Sequence, residues 1–135
     1  MSKKKANLAI TAFVSALCMW LLAGLWHKVI AVQFYTRETG AQHEGTVIIL
    51  IAYIILALLM VYLYGFYRIK KDSLIQAFLF GVVIGLLWVF PHELAMAGAH
   101  GESVRYVFIN AAWHMVEQGV GGLVIALISK RFACW

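Results

Sequence analysis

Long apolar runs, broken by short polar stretches, dominate the pattern along this chain. Four runs, at residues 8–31, 46–67, 73–90 and 106–129, match the roughly 20 residues that cross a hydrocarbon layer about 30 Å thick. Helices are the expected elements, because a spanning segment must satisfy its own backbone hydrogen bonds. The pattern predicts an all-α integral membrane four-helix bundle, a single transmembrane domain over residues 1–135. The third run meets Pro91, which cannot donate the helical hydrogen bond, so the span is expected to bend or stop there. The connection at 68–72 is short and makes the second and third spans expected antiparallel neighbours. The connections at 33–45 and 91–102 read as longer polar loops.

Composition sharpens this reading. With 64% apolar and 13% charged residues, almost nothing is left for a soluble domain. Charge then sets a direction. Lys3, Lys4, Lys5, Arg68, Lys70, Lys71, Lys130 and Arg131 fall on one side of four spans, against Lys28, Arg37 and Arg105 on the other. Eight against three is a positive-inside bias and predicts an N-in/C-in protein of a bacterial inner membrane. The net charge of +5 is thereby a property of membrane insertion and of contact with the lipid bilayer, not of nucleic-acid binding. The N-terminal run is too long for a cleaved signal, and Leu17 spoils a lipoprotein-type site before Cys18. Cys18 and Cys134 form no Cys-x-x-Cys, which argues against a thiol oxidoreductase.

Small residues punctuate the spans. Gly81 and Gly85, Gly122 and Ala126, and the series Ala9, Ala12 and Ala16 are spaced for close helix approach. They fit internal packing of one bundle or a self-association face. Trp26, Phe34, Tyr62, Tyr64, Phe66 and Tyr67 sit where aromatic interface anchors are expected.

The fourth span carries the strongest chemical signal. Asn110, His114, Glu117, Gln118 and Gly121 lie within an arc of about 100° at 100° per residue. Polar groups on one stripe of a membrane helix must face the bundle or water, and an intramembrane carboxylate points to function. The plain alternative is interhelical hydrogen-bond glue. Trp20, Tyr53 and Trp88 fall near the level of His114 and are the expected aromatic walls of a ligand site, or of an ordinary core. His92 and Glu93 follow Pro91, but Met96 stands where a zinc-protease helix would need its second histidine. A depth count places His27 and His92 near the outer boundary with His114 roughly 10 Å below, by helix rise. A transition metal, if bound, is therefore expected on His27, His92 and Glu93. Haem clamped between His27 and His92 is the other cofactor reading, with no attachment motif to support it. Ordinary interfacial histidines explain the same residues.

The segment Gly24-Leu25-Trp26-His27, the Gly81 and Gly85 pair followed by Trp88, and a glycine-rich fourth span resemble small four-helix bacterial inner-membrane proteins of unassigned function. The resemblance implies an architecture and a location, and no catalytic residues. The expectation is a non-enzymatic binding or accessory protein, with a pocket open to the periplasmic face and floored by His114 and Glu117. Its partners would be other membrane subunits or further copies of itself. The rival expectation is a proton-coupled transporter or channel using the same two residues. Below Glu117 the fourth span reads Gly121-Gly122-Leu123-Val124-Ile125, a dry stretch that favours a one-sided pocket.

Overall fold

A computed structural model describes residues 3–39, 45–67 and 73–132. Its elements are α1 (Lys3–Leu25), a π-helical turn (Trp26–Ile30), α2 (Val32–Thr39), α3 (Thr46–Tyr67), α4 (Leu74–His100) and α5 (Val104–Phe132). No strand occurs among the described residues. Four helical stretches, Lys3–Ile30, Thr46–Tyr67, Leu74–His100 and Val104–Phe132, are long and apolar enough to cross a membrane. Their outward faces carry side chains such as Phe13, Leu21, Ile48, Ile75, Leu87 and Phe108. Such a surface suits acyl chains and would not stay dispersed in water.

The expected loop at 91–102 does not exist as such. Helix α4 continues past Pro91 to His100 and ends on Gly101, whose φ of 70° closes the helix as a left-handed cap. Proline removes one backbone bond, and the turns on either side remain helical, as apolar spans commonly tolerate. His92 and Glu93 therefore sit on a helix, and the turn to α5 shrinks to Gly101–Ser103. Ser103 Oγ accepts from Tyr106 N–H at 3.3 Å and starts α5, as Ser73 Oγ accepts from Gln76 N–H at 3.2 Å and starts α4. The expected loop at 33–45 is likewise replaced over Val32–Thr39 by α2. His43, Glu44, Arg68, Lys70, Lys71 and Cys134 lie outside the described residues.

The helices order as α3, α1, α5, α4, with the tightest contact between α4 and α5. Helices α3 and α4, expected to be close neighbours through their short connection, touch little. Matching small residues explain the difference. A methyl group built on Gly81 or Gly85 would collide with the backbone carbonyl of Gln118 or His114, and one on Gly122 with that of Ala77. The two backbones thus approach more closely than side chains permit, and the Gly81 and Gly85 spacing is spent inside the bundle. Ala12 and Ala16 are also buried, whereas Ala9 faces outward. Asn7 Nδ2 donates to the Phe132 carbonyl at 2.8 Å, so both described chain ends lie at one end of the bundle. A core of Met19, Tyr53, Leu56, Met60, Tyr64 and Ile125 fills the space between α1, α3 and α5.

Candidate functional site

The polar stripe of α5 faces inward. Glu117 and Gln118 are fully enclosed, Asn110 is 3% exposed, and the His114 side chain retains 13%. Glu117 is held from several directions. Trp113 Nε1 donates to its Oε2 at 3.0 Å and Gln118 Nε2 to its Oε1 at 2.8 Å. Tyr53 brings its hydroxyl to the same carboxylate from α3. His114 Nδ1 stands 3.8 Å from Glu117 Oε1, too far for a direct hydrogen bond and close enough for charge to matter. His114 Nδ1 and Gln118 Oε1 are buried with no hydrogen-bond partner among the described residues.

A second tier lies toward the end of the bundle away from the termini. Trp26 Nε1 donates to the Tyr35 hydroxyl at 3.0 Å, and that hydroxyl donates to Asn110 Oδ1 at 2.7 Å. Asn110 Nδ2 in turn donates to Glu93 Oε1 at 2.6 Å. Glu93 Oε2 is buried with no partner among the described residues. Burial pushes the Tyr35 phenol up from 10.0 to about 12; the negative field of Glu93 and Glu117 adds, and the hydrogen bond from Trp26 opposes.

The π turn assembles this tier. The Ala31 N–H reaches the Trp26 carbonyl at 2.7 Å, one residue further than an α-helix allows. The widened turn leaves both Trp26 and His27 half-buried against the bundle. Trp26 stacks on Trp113 with centroids 4.4 Å apart and 5° between planes. His27 packs edge-on against Tyr35 at 4.1 Å, with its ring 6.4 Å from that of His114. Helix α2 then lays Tyr35 over the site and sets Phe34 against Tyr106.

Several expectations need correction. His27 approaches His114 rather than sitting far above it, because the π turn carries the residue inward. His92 is exposed on α4. Among the described residues no three His, Cys, Asp or Glu side chains gather in a metal-binding group, so His27, His92 and Glu93 are not brought together as one. Glu93 instead joins Asn110. Trp88 is 45% exposed and is no wall of the site; Val89 continues the buried row of Ala77, Gly81 and Gly85. Trp20 is half-buried against the core and Tyr53 is buried, as a wall residue would be. Trp26 joins the site through its bond to Tyr35 and its stack on Trp113. The carboxylate floor is enclosed, whereas a pocket open to one face was expected.

Trp113 and Tyr35 are the residues that sequence reading overlooked. Trp113 had a signal, since it lies four residues before Glu117 on the same stripe. Tyr35 had none, because its segment reads as a polar connection. Comparison with protein families, with curated proteins and with solved structures returns no match.

Proposed function

We propose that the chain is a small non-enzymatic binding or accessory protein of the bacterial inner membrane. Its site is the two-tier network around Glu117, Gln118, His114 and Asn110, near the periplasmic side, and both termini are cytoplasmic. The eight-to-three bias of basic residues supports that orientation. A single engineered cysteine at Ser73 that labels only from outside the cell would overturn it. One observation carries the functional reading: a wholly enclosed carboxylate in an apolar span, with donors from two helices and two buried polar atoms, His114 Nδ1 and Gln118 Oε1, left without partners among the described residues beside it. Polar glue alone needs fewer groups than this. Native mass spectrometry after mild detergent extraction tests it. The expected result is a non-covalent adduct on the wild type that is absent from Glu117→Ala and kept in Gln33→Ala. An adduct that survives Glu117→Ala sinks the reading.

A second reading, proton-coupled transport with Glu117 as the titrating group and His114 as relay, is favoured by one further observation. The stretch below Glu117 is dry on the next turns of α5 but not on the facing part of α1. Helix α1 places Thr11 and Ser15 there, both fully buried, and α5 adds Ser129 a few turns on.

A further inference from the structure

The half of the bundle nearer the chain ends contains hydroxyl groups that ordinary packing does not explain. Ser15 Oγ and Ser129 Oγ are buried with no hydrogen-bond partner among the described residues. Thr11, also fully enclosed, lies one turn from Ser15 on α1, its Oγ1 donating to the Asn7 carbonyl at 2.8 Å. Helix rise sets the levels: Ser15 lies one turn, about 6 Å, below Met19, and Ser129 lies two turns, about 12 Å, below Gly121. Buried hydroxyls are normally satisfied by protein or by water.

Between these hydroxyls and Glu117 sits a plug. The Met19 sulfur, from α1, fills the space that a side chain at Gly121 would need, and the Met60 methyl of α3 packs beside it. Both methionines are fully buried. Gly121 is one turn from Glu117, and Ser15 and Ser129 both lie further toward the chain ends, so the methionines stand at a level between the polar network and these hydroxyls.

We propose that Met19 and Met60 form the gate of a proton path. One end is Glu117 with His114, and the other is the buried Ser15 and Ser129 hydroxyls, staggered by about 6 Å in level toward the chain ends. The inference rests on the proton-coupling reading and adds the route and its closure. The titratable groups around Glu117 are His27 on the π turn, Tyr35 on α2, Tyr53 on α3, Glu93 on α4 and His114 on α5. Helix α1 contributes no acid or base at that level apart from the half-buried Cys18. A proton arriving through His114 protonates the Glu117 carboxylate. Water admitted past the methionines then takes it up as hydronium and leaves the carboxylate ionised. Apolar constrictions of this kind gate by excluding water.

Reconstituted liposomes with an internal pH dye and a potassium diffusion potential supply the test. Met19→Ser and Met60→Ser should each speed proton entry about tenfold over wild type, since a hydroxyl wets the constriction. Met19→Leu should match wild type, and adding Glu117→Gln to either serine variant should return flux to that of empty liposomes. If wild-type flux depends on Glu117 yet both serine variants match wild type, the plug is wrong and proton coupling stands. If no variant exceeds empty liposomes, both ideas fall. Fast flux that survives Glu117→Gln, or that also carries sodium, overturns the assigned route. Should one serine variant fail to fold, the other decides.

Discussion

Tyr35→Phe removes one oxygen and tests how the upper tier is held. The hydroxyl accepts from Trp26 Nε1 and donates to Asn110 Oδ1, at 3.0 and 2.7 Å. Both bonds vanish together, and the two stranded partners differ. Trp26 is half-buried and can recover water, so its loss is close to the net worth of one bond, about 1 kcal/mol. Asn110 is 3% exposed, so its carbonyl stays dry and the loss rises to about 1–2 kcal/mol. The expected cost is therefore roughly 2–3 kcal/mol in folding free energy. Reversible unfolding in bicelles, followed by tryptophan fluorescence, measures it. A double-mutant cycle with Asn110→Ala isolates the shared part. A cost under about 0.5 kcal/mol, or additivity within that margin, would refute the claim that this hydroxyl ties α2 to α5.

The close contact of α4 with α5 gives a paired test. Gly81→Ala sets a methyl against backbone on α5 and should cost about 1–3 kcal/mol or more, whereas Gly24→Ala meets nothing within 4 Å and should gain about 0.5–1 kcal/mol. Equal effects of the two substitutions would show that the approach of the backbones is not what holds the pair together. Tyr35 also predicts a pH effect. Its phenol is raised from 10.0 to about 12 in the fold, so the unfolded chain releases this proton first. The contribution is complete below pH 10 and is lost as pH rises from 10 to about 12. Unfolding titrations should show that fall in wild type and a shallower one in Tyr35→Phe; an unchanged slope in the variant would assign the fall to other groups.

Much of the fold was legible because membrane physics reads length and composition directly. The span at Thr46–Tyr67 appears in the sequence with the bounds seen in the structure. The inward stripe of Asn110, His114, Glu117 and Gln118 was legible for a similar reason, since 3.6-residue periodicity survives any packing. Helix pairing was not legible. Loop length argued for α3 beside α4, but the glycines of α4 and α5 are complementary only when their two backbones meet, which one span alone cannot reveal. The stop allowed for at Pro91 did not occur, because proline is tolerated in apolar spans where neighbouring groups or ordered water satisfy the freed carbonyl. The upper tier was hidden by the π turn, which inserts a residue into the helical count and so leaves no periodic trace. Ser15 and Ser129 look like harmless small residues in apolar runs, and only their joint burial gives them meaning.

The surroundings of Glu117 are unequal, and this decides how anything could reach it. On the α4 side, backbone meets backbone at Gly81, Gly85 and Gly122, and no side-chain rotation opens that seam. Toward the chain ends, two flexible methionines fill a glycine notch, a closure that rotamer changes can relieve. At the far end the cover is the π turn and α2. That cover is held by the Trp26 stack on Trp113 and by the Tyr35 hydroxyl. A single π turn and an eight-residue helix have little burial of their own, so local opening there costs less than parting the long helices. Access by displacement of α2 and passage at the methionines are thus the two soft directions. Glu117 lies between them, with His114 on one side and Gly121 on the other. A structural carboxylate has no need of that position, because hydrogen-bond glue works equally well at a rigid seam.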